Sequence, residues 1–385
     1  MELVLGTNQL TSINGAETYL VTVAEQLQTH GHGVTLYALE HGEMADFARR
    51  RGLRVESSES RLPADVEGVL TNDAVSSLDL ADRYPESPHV FVCHSSDFLF
   101  TQPPQVPGTV SAVVALNERV ARHLEHHALA VEVVRLRQPI NARRFTRSGP
   151  IGRAPRRVLL LGNWLFGERR QMLQDAWAGL EFTQLGRHGS ASSPEPELAI
   201  AEADIVVGHG RAALEGMASA RAVYVFDHSG VDGWVTESSY PAMEADGFAG
   251  RATADSADAA QLTSDLAGYD PAMGVVNRDL VELNHDAASH AEELVALFRR
   301  CGGRASDGSA PLREMARLVS LQWQAFGRSE HFRTENQLLR RRLEEVEGEL
   351  DWARSAVEEF QGTRRYRAAQ LLAGPFEALR RRARR

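Results

Sequence analysis

The segment Ala203–Thr236 reads ADIVVGHGRAALEGMASARAVYVFDHSGVDGWVT and gathers residue types suited to holding an anion. A short apolar strand, Asp204–Val207, runs into a small loop, Gly208-His209-Gly210. A helix follows, with Arg211 and Glu215 four positions apart on one face, and then a second strand, Ala222–Phe226. Glycines at the carboxyl end of a strand leave backbone N–H groups at the next helix start able to face an anion. Arg211 adds a planar cation that matches a phosphate, and Glu215 an acceptor for sugar hydroxyls. Together they imply an anionic, hydroxyl-rich ligand of the nucleotide-sugar kind. The plain alternative is an i,i+4 ion pair on a helix surface, worth about a few tenths of a kcal/mol. Asp232-Gly233-Trp234 is open in the same way: a sugar-facing loop, or a turn with a packed Trp.

Candidates outside this segment are fewer. His94 follows the apolar run His89–Cys93 and either faces a ligand or caps the turn. Gly15 shapes either a ligand loop or an ordinary tight turn, since one glycine is a weak signal. His123, His126 and His127 share one helix, but no carboxylate or Cys stands at ligand spacing, so they read as a solvated face. No metal site is expected. Cys93 and Cys301 are far apart and read as reduced thiols of a cytosolic protein.

These residues need a scaffold, and the chain alternates strands and helices. Glu2–Gly6 reads as a strand, a helix runs through Gln28, and Val34–Leu39 is the next strand. Strands follow near Val69–Leu70, His89–Cys93, Val110–Leu116 and Val131–Leu136, with helices between them. Such alternation indicates a mostly parallel, doubly wound sheet. The Arg-, Gly- and Pro-rich stretch Thr146–Arg156 reads as a linker, and Arg157–Gly162 then repeats the strand-then-glycine start. The expected order is a Rossmann-like domain at 1–148, a second at 155–300, a helical connector at 301–330, a coiled-coil helix at 331–361 and a basic amphipathic tail at 362–385. Two such sheets would face a cleft, a preferred place for a ligand.

With 385 residues the chain exceeds one ordinary core. All 42 basic residues are Arg, so every phosphate contact is expected to come from Arg or from backbone. The net charge of −10 is uneven: from Gln361 onward eight Arg against one Glu give +7, which leaves −17 on the rest. An acidic body argues against a nucleic-acid partner, and the basic end points to a specialised segment. MELVLGTNQLTS lacks a basic, apolar leader, and no run approaches the ~20 apolar residues of a membrane span. A cytoplasmic location is therefore expected.

Phe332, Asn336, Leu339, Leu343, Val346, Leu350, Ala353, Val357 and Phe360 keep an unbroken 4,3 spacing. This is a heptad seam, and a lone Asn at an a position would favour a parallel homodimer through 332–360. A long helix packed back on its own domain is the alternative. Residues 363–385 could lie on an anionic membrane surface, or be a solvated tail.

Several segments carry a family likeness. Asn14-Gly15-Ala16-Glu17 leads into a helix and then HGHGVTLYA; HVFVCH ends in His94; VVALNERVARHL spans Val113–Leu124; RQPINARRF spans Arg137–Phe145. In order and spacing, the chain resembles the nucleotide-sugar-dependent glycosyltransferases of the GT-B fold, in the large retaining group with a GGxE-like amino-terminal loop. The resemblance covers residues 1–300 and implies two Rossmann-like domains facing a cleft, followed here by the coiled coil and basic tail. It implies that Asn14, Gly15 and Glu17 form the acceptor-side loop, and that His94 is the active-site His, hydrogen-bonding the transferred sugar or the attacking hydroxyl. Glu215 matches the second Glu of the family's E-x7-E motif, which implies hydrogen bonds to the donor ribose. Gly162, Gly210 and Gly230 fall on the donor side.

Two positions depart from the pattern. The motif's first Glu would stand at Val207, and the family's diphosphate Arg at Asn163 in GNWLFGERR. Diphosphate contact is therefore expected from the backbone around Gly210, with Arg211 and Arg169 or Arg170 as cations. The implied chemistry is transfer of a glycosyl group from a nucleoside-diphosphate sugar to a hydroxyl of a glycan or lipid-linked acceptor. It needs no cofactor beyond the donor, and Arg and helix N-termini stabilise the leaving diphosphate in place of a metal. A different class is a catalytically reduced GT-B protein serving as a coiled-coil scaffold at a membrane, favoured by the residues missing at Val207 and Asn163. A nicotinamide-dependent dehydrogenase would need G-x-G-x-x-G and a later acidic residue, and neither glycine loop has that spacing.

Overall fold

The structure, a computed structural model, describes residues 1–302 except 127–128, 147–148, 150, 164, 187–192, 229 and 254–257. Beyond 302 it describes 312, 315–327, 329 and scattered positions within 339–355. Residues 1–320 form one compact unit and 321–385 a second.

The first half runs β1 (Glu2–Leu10), α1 (Gly15–Thr29), β2 (Gly33–His41), α2 (Glu43–Arg50), β3 (Arg54–Glu56), β4 (Gly68–Thr71) and α3 (Ala74–Arg83). It continues through β5 (His89–Cys93), β6 (Ala112–Ala115), α4 (Glu118–Glu125) and β7 (Glu132–Arg135). The sheet order is β3-β2-β1-β4-β5-β6-β7, every pair parallel. Strand order reverses where β1 meets β4, so a crevice opens at the carboxyl ends of these two strands. The β1 strand is longer than its apolar run, because its ladder with β2 continues through Leu10 and His41. Asp73 caps α3 by accepting from the Ser76 N–H at 2.9 Å, and Asn117 caps α4 by accepting from the Val120 N–H at 2.8 Å.

The second half runs β8 (Arg157–Leu161), α5 (Gly167–Ala176), β9 (Glu181–Leu185), α6 (Glu197–Glu202), β10 (Ile205–Gly208), α7 (Arg211–Ala218) and β11 (Ala222–Phe226). Then come β12 (Val231–Trp234), α8 (Tyr240–Asp246), α9 (Ala259–Leu266), α10 (Met273–Asn284) and α11 (Ala287–Arg300). Its sheet order is β12-β11-β10-β8-β9, parallel except for β12. The reversal here lies between β8 and β10, so Gly162 and the Gly208–Gly210 loop stand at its rim. Trp234 stacks on Trp177 with ring centroids 5.8 Å apart and donates to the Asp265 carbonyl at 2.7 Å. The segment 232–234 is thus strand, with a partly buried Trp packed against the second core.

The α11 helix corrects the expected boundary at 300. It follows the second sheet in the chain, yet Ala291, Leu294, Val295, Leu297 and Phe298 pack into the first sheet's core with Leu27 and Leu36. Backbone bonds tie this crossing at Ile140, which donates to the His285 carbonyl at 2.8 Å and accepts from the Ala287 N–H at 3.2 Å. In the second unit, the seam residues Leu339, Leu343, Val346 and Leu350 have helical backbone and are 45–61% exposed. Phe332, Asn336, Ala353, Val357, Phe360 and the tail 363–385 lie outside the described residues.

Candidate functional site

The two crevices open onto a shared cleft. A cavity of about 200 Å³ is lined from the first half by Ile13, Asn14, Gly15 and Thr18, and from the second by Gly162, Asn163, His209, Gly210, Arg211 and Glu215, among others. A second cavity of about 150 Å³ is lined by Gly15, Ala16, His94, Asn117, Gly210, Arg211, Gly247 and His285, among others. Gly15, Gly210 and Arg211 line both, so Arg211 stands where the two chambers meet.

Arg211 is held on three sides. Its Nε donates to Glu215 Oε1 at 2.9 Å, its Nη1 to the Pro139 carbonyl at 3.1 Å and its Nη2 to Thr22 Oγ1 at 2.9 Å. It therefore ties α7 to α1 as well as facing the cleft. Both side chains are buried, and burial pushes the guanidinium below and the carboxyl above their ordinary ranges. Each charge offsets part of the other's lost hydration. This is a buried pair with one edge in the cavity, not the surface pair the spacing alone allowed. Gly210 takes φ +55°, and its N–H donates to the Phe248 carbonyl at 2.8 Å. The Gly210 amide expected to meet a diphosphate is thus already engaged. Val207, at the place of the missing Glu, is fully buried in β10 and packs with Val158 and Tyr224.

The remaining donor-side positions divide. Gly162 lines the larger cavity. Asn163 Nδ2 reaches across to the Ile13 carbonyl and to Asn14 Oδ1, each at 3.4 Å. Arg169 sits over the Phe226 ring at 4.8 Å, with buried Nε and Nη2 atoms that have no hydrogen-bond partner, as has the Nε of Arg170. Neither Arg is among the residues lining the two cavities. Gly230 is pressed against another chain segment: a Cβ there would lie 1.9 Å from the Gly250 carbonyl oxygen. Its need for glycine comes from that backbone approach, and it does not line the cleft.

On the first-half wall, half-buried His94 packs against Tyr19 with ring centroids 4.8 Å apart. Burial, then Arg211 and His290, push His94 down to about 3, so the ring is neutral, and its Nε2 has no partner. Tyr19 in turn hydrogen-bonds His290 at 2.7 Å. Burial pushes Glu17 up to about 7, against hydrogen bonds from its own backbone and from Asn14. Glu17 Oε2 is buried without a partner, and Glu17 lies behind the loop rather than among the cavity-lining residues. The loop that the sequence grouped as Asn14, Gly15 and Glu17 thus lines the cleft with its first two members only. His123 hydrogen-bonds Gln102 at 3.2 Å. Cys93 and Cys301 are both free thiols.

His209, read in the sequence only as part of the glycine loop, and Asp227, not singled out there, come together at the site. Asp227, just past β11, is 1% exposed at its side chain and meets His209 Nδ1 at 2.8 Å and His228 Nδ1 at 3.0 Å. The signal was positional, since His209 and Asp227 follow neighbouring strands paired at Gly208 and Val225.

No protein-family profile matches the sequence, and no curated protein does. Solved structures do share its fold. The crystal structure of Anabaena Alr3699/HepE in complex with UDP and glucose aligns at TM-score 0.52 and 11% identity, covering 78% of this chain and 100% of that one. The lipopolysaccharide outer core galactosyltransferase WaaB, in its apo form, aligns at TM-score 0.52 and 10% identity over the same shares. The chain has the GT-B fold. Its two Rossmann-like halves, each a parallel-dominated sheet with helices, match that architecture.

Proposed function

We propose that this GT-B protein transfers a glycosyl group from a nucleoside-diphosphate sugar to an acceptor hydroxyl. The observation that carries the reading is Glu215: a buried carboxylate on the cavity wall, at the second sheet's reversal point, across from Asn14 and Gly15. The larger cavity takes the donor, with Glu215 accepting from ribose hydroxyls. The smaller takes the acceptor, with neutral His94 offering Nε2 to the transferred sugar or the attacking hydroxyl. Arg211, between them, faces charge that grows on the leaving diphosphate, and a fixed cation there stabilises the transition state without reorganising. The fold shared with HepE, solved with UDP and glucose and with UDP-glucose, supports a UDP-type donor. WaaB, a lipopolysaccharide outer core galactosyltransferase, supports a cell-surface glycan as product. The reaction would run without a metal, in the cytoplasm or at the inner face of a membrane. No helix among the described residues is long and apolar enough to cross a membrane.

Calorimetric titration with UDP-, GDP- and dTDP-sugars tests this. One donor should bind, and Glu215→Ala should weaken it about 10- to 100-fold, the loss expected for hydrogen bonds to a charged group. Unchanged affinity would remove Glu215 from the ribose site. A second reading, a catalytically reduced scaffold, is favoured by the engagement of the Gly210 amide and by Val207 in the core. On that reading the exposed seam at 339–350 is covered by a second copy of this chain. Silence toward every donor, with candidate acceptors present, would support it over the enzyme.

A further inference from the structure

Among the described residues, His209 is the only histidine lining the donor cavity. Its side chain is 27% exposed, and its Nδ1 lies 2.8 Å from an Asp227 carboxylate that is 1% exposed. A carboxylate only accepts, so Nδ1 carries the hydrogen in this pair. The contact restrains the ring, and His209 lines the cavity. His228 shares the same Asp227 oxygen, with its ring centroid 6.2 Å from that of His209.

This placement meets a gap in the donor wall. The chain has no Lys, the Asn163 amide reaches across to Ile13 and Asn14, and the Gly210 amide is engaged. Arg211 is shared with Glu215, Pro139 and Thr22. Arg169 is laid over Phe226, outside the lining. Among the described residues, His209 is a further side chain on this wall able to present an N–H to an anion. It belongs to the loop that opens α7, where the helix dipole already favours negative charge.

We propose that His209, oriented by Asp227, donates from Nε2 to the diphosphate of the nucleotide sugar and holds its negative charge as the sugar leaves. This rests on the glycosyltransferase reading and adds the group that meets the leaving phosphates. With the ligand in place, the diphosphate holds the second ring proton at Nε2 while Asp227 balances it at Nδ1. Asp227 acts through His209 and is a positioning residue.

The substitution His209→Asn separates the two ends of the ring, because the Asn amide can keep the bond to Asp227 and has nothing at the Nε2 position. Wild type and variant are titrated by calorimetry with UDP, GDP and dTDP and with the matching nucleosides. The diphosphate that binds wild type should bind His209→Asn about 10- to 100-fold more weakly, as for a charge-assisted hydrogen bond. The matching nucleoside should bind both alike within about twofold. Equal loss for diphosphate and nucleoside would mark a structural role, and no loss for either would mark none; both overturn the proposal. If His209→Asn melts well below wild type, His209→Gln is read in its place. Failure of the wild type to bind any diphosphate overturns the glycosyltransferase reading itself.

Discussion

On and behind the first-half wall of the cleft, ionisable groups are buried without a counter-charge: His94 on the wall and His290 behind it are pushed down to about 3, and Glu17 behind the loop up to about 7. On the second-half wall, the groups come in opposed pairs, Arg211 with Glu215 and His209 with Asp227. Burial alone drives a group to its neutral form, whereas burial beside an opposite charge retains ionisation. The first wall therefore presents a neutral hydrogen-bonding ring, His94, suited to hydroxyls. The second presents Arg211 and His209, each set beside a carboxylate, to an anionic donor. The two halves share a sheet architecture, so this difference comes from side chains at the strand ends and not from the fold.

The largest test of the contrast is the Arg211–Glu215 pair. Removing one member of a buried pair leaves the other charged and unpaired, which costs about 3–5 kcal/mol. Arg211→Met and Glu215→Met should each destabilise the protein by about 3 kcal/mol in urea denaturation. The double variant should recover more than half of either loss, because two apolar side chains fill the space without an orphaned charge. If the singles lie within about 0.5 kcal/mol of wild type, the range of ordinary surface substitutions, the second wall is not built on paired charge. Arg211→Met should also weaken diphosphate binding more than nucleoside binding, and an equal loss would leave Arg211 as a tie to Thr22 and Pro139 alone.

A smaller effect tests the first wall. Glu17 titrates at about 7 in the fold against an ordinary 4.5. Between those values the unfolded chain has released its proton and the folded chain has kept it, so stability falls as pH rises through this window. Glu17→Gln has no proton to release. It should melt with the wild type near pH 4 and above it at pH 8, by about 2–4 °C for each kcal/mol gained. Wild type and variant parallel from pH 4 to 8 would show that Glu17 is solvated, and the contrast between the walls would weaken.

How much of this was legible in the sequence depends on the range of the interaction. The strand-and-helix alternation and the i,i+4 contact of Arg211 with Glu215 are local patterns, and the structure shows both, the contact as a buried one. The β1 strand was read only to Gly6, because Thr7, Asn8 and Gln9 break the apolar run while the ladder to β2 carries on. Trp234 was ambiguous because its partners, Trp177 and Asp265, are far away in the chain. The same holds for α11, whose apolar face fits a helix anywhere and packs on the sheet of the other half. His209 and Asp227 stand 18 positions apart, and only the register of β10 against β11 brings them together. Spacing along a chain finds partners within one helix or turn, and the site draws its charge from neighbouring strands.

The smallest expected effect concerns what lies outside both walls. Every residue of the cleft belongs to the unit 1–320, and the exposed seam at Leu339, Leu343, Val346 and Leu350 belongs to the other. An apolar heptad stripe left in water is a weak element alone, because a helix gains most of its stability from packing. Removing residues 331–385 should therefore leave the melting temperature of the cleft unit and its donor affinity unchanged. It should convert a dimer to a monomer in sedimentation velocity, or release the protein from anionic liposomes in flotation. A fall in donor affinity on truncation would mean that the seam supports the walls, and the contrast between them would no longer belong to the strand ends alone. Unchanged sedimentation and flotation would leave the seam packed within its own chain.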